Sequence, residues 1–101
     1  MYTATMRYYF KPEEMVKCIE KWEEQVLEIA EEQEGFVRMQ FLVKENGETM
    51  AIGTWEEKEN AEAFMKTGIF KKILEEFEPF MTAKPVGEIW STVLHSEAIE
   101  D

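Results

Sequence analysis

Few side chains in this 101-residue chain carry obvious chemistry, and those few are far apart. The single cysteine, Cys18, and the single histidine, His95, are separated by most of the sequence. A structural zinc site needs several His, Cys or carboxylate ligands at set spacings, and these two provide none within one chain. A hydrolytic triad would have to use His95. Ser91 and Ser96 lie in or beside the same segment, without the Gly-x-Ser-x-Gly turn that exposes a nucleophile. His95 therefore reads as a surface or strand-edge residue, and Cys18 as a small buried hydrophobe rather than a reactive thiol. The acid pairs Glu13-Glu14, Glu23-Glu24, Glu31-Glu32 and Glu56-Glu57 have nothing apolar beside them in sequence that would tune a pKa, so they read as solvated helix faces. No glycine-rich phosphate loop is present.

What stands out instead is an oily set of rings and thioethers. It comprises Tyr8, Phe10, Trp22, Phe36, Phe41, Trp55, Phe64, Phe70, Phe77 and Trp90, with Met6, Met15, Met39 and Met50. A packed core accounts for most of them. The sharper reading is a cavity left open for a flat apolar ligand, because small-molecule pockets are mostly aromatic with a few placed polar groups. The polar candidates are Arg7, Tyr8, Tyr9, Arg38, Gln40 and the indole donors of Trp22, Trp55 and Trp90.

The elements that must position these residues follow from periodicity. Residues 3–10 alternate around Ala4, Met6, Tyr8 and Phe10 and predict a strand. Pro12, Glu13 and Glu14 suit the first turn of a helix, whose orphan N–H groups tolerate proline and attract acid. Met15, Ile19, Trp22, Val26 and Ile29 then form an apolar stripe that ends at Gly35. Residues 36–44 alternate again, with Phe36, Arg38, Gln40 and Leu42 expected on one face. Asn46-Gly47 predicts a tight turn with positive φ values, and 49–55 a third strand antiparallel to the second. A second helical region from Glu56 is broken or bent at Gly68. Pro79 and Pro85 bracket a connection, and 86–95 predict the last strand. The order is strand, helix, strand, strand, helix, strand. That is a ferredoxin-like βαββαβ domain of the α+β class over residues 1–95, followed by a short acidic tail, 96–101.

Composition bounds the partners. Asp and Glu number 22 against 11 Lys and Arg, for a net charge of −11, so nucleic acid and anionic membrane are not expected partners. No run approaches the roughly 18 apolar residues of a spanning helix. The N-terminal MYTATMRYYF lacks a basic segment leading into an apolar one, and a lone cysteine implies no oxidising compartment. The expectation is a cytoplasmic, acidic protein. Two helices can cover one face of a four-stranded sheet, and the other face carries Thr5, Arg7, Tyr9 and the residues expected from the second strand. A half-apolar sheet face in so small a chain predicts a homodimer built on it.

Three pieces of sequence in order carry a resemblance: Glu34-Gly35-Phe36 opening the second strand, Trp55-Glu56 closing the third, and the spacing on to Ala61, Phe64 and Phe70. Over about residues 3–94 the chain resembles the antibiotic biosynthesis monooxygenase-like family of the dimeric α+β barrel superfamily. The resemblance implies a dimer whose two sheets face one another, with a pocket between each sheet and its helices. Combined with the periodicities, it makes Met6, Tyr8, Trp22, Met39, Phe41, Trp55, Phe64 and Phe70 the candidate pocket walls, with Trp55 read mainly as an anchor for the following helix. The family includes cofactor-free oxygenases of phenolic and quinol compounds, haem-degrading enzymes and many proteins of no known activity, so the fold does not settle the function. The haem-degrading branch uses an Asn, a Trp and a His where this chain has Met6, Phe64 and Leu74. No cofactor is therefore expected, and haem is not favoured. The expected activity is a cofactor-independent monooxygenation of a small aromatic or quinol-like compound, with no catalytic residue assigned. A non-catalytic ligand- or haem-binding dimer and a structural or regulatory dimer with a filled core stand as alternatives.

Overall fold

Alternation, two proline starts and three positive-φ glycines divide the chain into four strands and two helical stretches. The computed structural model describes residues 1–96. Strands β1 (Tyr2–Phe10), β2 (Phe36–Val43), β3 (Glu48–Trp55) and β4 (Met81–Ser91) form one antiparallel sheet in the order β2-β3-β1-β4. The first helical stretch opens with a 3-10 turn at Pro12–Glu14 and runs through α1 (Met15–Trp22), a π turn at Glu23–Leu27 and α2 (Glu28–Glu31). The second comprises α3 (Lys58–Phe64), a turn at Met65–Ile69 and α4 (Phe70–Phe77). Both stretches cover one face of the sheet, which is the ferredoxin-like α+β arrangement. Among the described residues no helix is long and apolar enough to cross a membrane.

On β3 the burial alternates without a break, with Thr49, Ala51, Gly53 and Trp55 turned to the helices. Tyr8 and Phe10 of β1 join them, their rings stacked 5.3 Å apart, and Phe77 of α4 closes over Phe10 at 5.8 Å. Asn60 holds the start of α3, its side-chain oxygen accepting the Glu57 N–H at 3.0 Å, so the acidic segment after Trp55 turns directly into helix.

Four details depart from the expectations above. The buried stripe of the first helical stretch is Cys18, Trp22, Val26 and Ala30, while Ile19 is 41% exposed. Residues four apart stay on one face here because the π turn needs more residues per turn than an α-helix, which cancels the drift a strict four-residue spacing would suffer. Phe36 lies on the helix side of the sheet. A bulge between Phe36 and Arg38 inserts Val37, so Phe36 meets the edge of the Trp55 ring at 5.5 Å while Arg38, Gln40 and Leu42 keep the open face. In the β2–β3 turn only Gly47 has positive φ (95°). Asn46 instead accepts the Glu48 N–H through its side chain, and the Gly47 N–H returns to the Lys44 carbonyl at 3.0 Å. A side chain at Gly47 would strike the Phe10 carbonyl oxygen, whose strand reaches the turn through the Phe10 N–H. Finally, the last strand begins at Met81 and ends at Ser91. Pro85 sits within it where the β1–β4 register shifts, a bulge on an edge strand that tolerates the missing N–H. Of the expected tail, 96–101, all but Ser96 lies outside the described residues.

Candidate functional site

Alternation in β1 and β3 and the helical stripe bring one set of small and flexible residues together between sheet and helices. Ala4, Met6 and Tyr8 of β1, Met39 of β2, and Ala51, Gly53 and Trp55 of β3 form the floor, while Trp22 and Val26 stand on one side and Phe64, Met65 and Ile73 on the other. They enclose a cavity of about 40 Å³. At about 10–15 Å³ of such space per water molecule, that holds a few waters and is far smaller than an aromatic ligand requires. The thioethers determine how much of it is open. The Met39 methyl lies 2.9 Å from where a Cβ on Gly53 would stand, and the Met6 methyl is as close to the corresponding position on Gly87. Methionine side chains are unbranched and repack readily, so the walls at Met6, Met39 and Met65 are the ones that can yield.

Of the eight candidate walls, Met6, Tyr8, Trp22, Met39, Trp55 and Phe64 surround this cavity. Phe41 stands behind it, stacked on Trp22 at 4.3 Å and fixing the indole plane. The Phe70 side chain lies outside what the structure describes. Residues that sequence reasoning passed over are chiefly small: Ala51, Gly53 and Ala61 create space by lacking side-chain atoms, and composition gives them no signal. Trp55 is 1% exposed, with the Phe64 ring 5.1 Å from its own.

The polar candidates separate by face. Arg7, Tyr9, Arg38 and Gln40 belong to the open side of the sheet. Trp90 belongs there too, 53% exposed and donating its indole N–H to the Thr5 hydroxyl at 3.2 Å, so it is no part of the interior. Leu74 lies in a separate open groove with Met81 and Pro85, so the three positions compared with the haem-degrading branch do not share one cavity.

Two polar groups remain inside. Trp22 is 3% exposed, and among the described residues its indole N–H has no hydrogen-bond partner. Leaving a buried donor unpaired costs about 1–3 kcal/mol. The Tyr8 hydroxyl lies on the same side. Burial pushes its phenol well above the ordinary value, with the neighbouring Trp22 N–H opposing that shift only in part. Tyr8 is thus a neutral phenol under all ordinary conditions. Among the described residues no charged side chain lines the cavity.

This has a consequence for stability. An acid whose folded-state pKa is raised leaves stability intact below its unfolded value and lowers it as pH rises beyond that value. For Tyr8 the window opens near pH ~10, and each further pH unit removes up to about 1.4 kcal/mol until the folded-state value is reached. Cys18, whose thiol is also pushed up by burial and by Glu14 against the opposing Lys21, acts with the same sign. Urea unfolding between pH 9 and 11.5 should therefore show a steeper loss in the native protein than in Tyr8→Phe. Equal slopes would mean that the phenol is solvated.

Residues 1–76 match the family model described as antibiotic biosynthesis monooxygenase. No curated protein sequence matches significantly. Among solved structures, the monooxygenase of the ActVA-Orf6 gene of Streptomyces coelicolor, in complex with nanaomycin D, aligns with a TM-score of 0.76 at 14% identity, over 99% of this chain and 92% of that one. SnoaB, a cofactor-independent oxygenase from Streptomyces nogalater, aligns as a variant with a TM-score of 0.69 at 15% identity, over 93% of this chain and 94% of that one. A protein of unknown function from Nitrosomonas europaea reaches 0.78 at 11% identity, over 98% and 95%. At such identities the structural matches establish the fold, and the family match extends over three quarters of the sequence, including all of the cavity floor. The chain belongs to the antibiotic biosynthesis monooxygenase family.

Proposed function

We propose that this protein is a cofactor-independent monooxygenase of a small, electron-rich aromatic compound. The observation that carries the reading is the uncharged cavity walled by aromatic rings and methionines, in a chain of this family. The chemistry suits such a site, because a phenolic substrate can supply every electron itself. Its ring carbon para to the oxygen gives electrons to O2 and forms a C–O bond. Loss of water from the resulting hydroperoxide leaves a quinone. One oxygen atom is then in the product and one in water. The protein's part is to exclude bulk water, hold the ring flat and donate hydrogen bonds to the substrate oxygen. The substrate displaces the Met6, Met39 and Met65 side chains as it enters.

With 1,5-dihydroxynaphthalene, the expected result is uptake of one O2 per 5-hydroxy-1,4-naphthoquinone formed, with one labelled oxygen from 18O2 and no added metal, flavin or haem. Uptake no faster than in protein-free buffer, across a panel of naphthols and hydroquinones, would end the reading. The small size of the cavity would then favour a structural dimer with a filled core.

The assembly that fits the open sheet face is a second copy of this chain. Across that face run the rows Leu42–Met50–Arg7–Val86, Gln40–Ile52–Thr5–Glu88 and Arg38–Thr54–Thr3–Trp90. Leu42, Val86 and Trp90 are each about half exposed. The face is also spared the chain's acid excess: Arg7 and Arg38 balance Glu48 and Glu88, while the whole chain has 22 acids to 11 bases. Arg38 lies on the β2 edge and Glu88 on the β4 edge, so a twofold axis that sets one edge over the other pairs opposite charges. Sedimentation at micromolar concentration should give twice the chain mass. Arg38→Glu should weaken the dimer, and adding Glu88→Arg should restore it. A monomeric native protein would remove this assembly.

A further inference from the structure

The cavity holds one buried donor that the fold leaves unused. Trp22 lines the cavity with its ring stacked on Phe41 at 4.3 Å, and its buried indole N–H is without an acceptor among the described residues. The indole nitrogen is a donor only and cannot be satisfied by another N–H. The Tyr8 hydroxyl is close enough for the indole N–H to favour its ionised form, yet it forms no hydrogen bond that satisfies the donor. Among the described residues the remaining lining is almost wholly apolar, and none of it is charged.

We propose that the Trp22 indole N–H is the docking point for a ligand oxygen, so that the cavity selects flat aromatic ketones, quinones and phenols. Compounds carrying a carboxylate or phosphate, for which the walls offer no counter-charge, are excluded. The inference rests on reading this cavity as the ligand site, and it adds a positioning group and a charge class to that reading.

Trp22→Phe keeps a ring against Phe41 while removing the donor and part of the indole's volume, so a pair of probes must separate hydrogen bonding from packing. Two probes of the same shape differ only in oxygen: 2,3-dimethyl-1,4-naphthoquinone, whose substituted ring positions are blocked against simple thiol addition, and 2,3-dimethylnaphthalene. By equilibrium dialysis, Trp22→Phe should bind the quinone about five- to tenfold more weakly than the native protein and bind the hydrocarbon equally well. Equal weakening of both probes, unchanged quinone affinity, or failure of the native protein to bind the quinone would each overturn the proposal. Turnover of 1,5-dihydroxynaphthalene by Trp22→Phe with unaltered kcat and KM would reject the docking role and leave the monooxygenase reading intact. Selective loss of quinone binding in a protein that shows no turnover would do the reverse.

Discussion

Trp55→Ala should lose about 3–5 kcal/mol of stability, the range for removing a large aromatic side chain from a packed core. Trp55 closes β3, its backbone paired to Tyr2 on one side and Phe36 on the other. Its ring is met by the edge of Phe36 at 5.5 Å and by Phe64 of α3 at 5.1 Å, so it ties both neighbouring strands to the second helical stretch. A domain of this size has only about 5–15 kcal/mol in total. The urea midpoint should fall by about 2 M at a slope of 1–3 kcal/mol per M. Trp55→Phe, which retains a ring, should fall by less than half of that. A midpoint barely moved by the alanine change would mean that Trp55 is a lining group with little structural role.

The anchoring role of Trp55 was legible in the sequence because it ends an alternating run immediately before a helix, and both signals are local. The order of strands and helices followed from local alternation and helical spacing in the same way, which also grouped Met6 with Tyr8 and put Trp22 in the inward stripe, while a pocket among them was what the family resemblance implied. What escaped was non-local or subtractive. The bulge at Val37 exchanges the two faces of one residue pair, and no side-chain pattern announces an inserted residue. Because of it, Phe36 belongs with Trp55 rather than with Leu42. The π turn likewise moved the buried stripe beyond it from Ile29 to Ala30, since a period read at 3.6 residues per turn assumes that the backbone keeps that period. Trp90 looks like a core residue by type, yet its strand faces it outward, and only the pairing with Thr3 and the bond to Thr5 reveal this. The space of the cavity arises at Gly53, Ala51 and Ala61, where side-chain volume is missing. Its polarity comes down to the Tyr8 hydroxyl and the Trp22 indole N–H, and the latter's lack of an acceptor depends on packing that no sequence pattern records.

Ala4→Phe should abolish ligand binding and turnover, by at least a hundredfold, while leaving a folded protein. Ala4 lies in β1 opposite Gly53 on one side and Ile89 on the other, and its methyl group belongs to the cavity floor. A phenyl ring there has nowhere to go but the 40 Å³ space and the volume now held by the thioethers. Overpacking of this kind costs typically 1–3 kcal/mol, and the three methionines absorb part of it, so circular dichroism and a urea transition should report a native fold. A hundredfold loss corresponds to about 2.7 kcal/mol of binding or transition-state free energy, larger than a displaced hydrogen bond and consistent with simple exclusion. Met6→Ala supplies the opposite change. It removes the side chain whose methyl lies against Gly87, so the double variant Ala4→Phe with Met6→Ala should recover part of the lost binding although it is less stable than either single variant. Recovery of function against a falling stability cannot be ascribed to folding, and it would locate the ligand beside Met6. Undiminished turnover in Ala4→Phe would instead move the chemistry out of the interior, to the open groove around Leu74 and Pro85 or to the sheet face that carries Arg7 and Trp90.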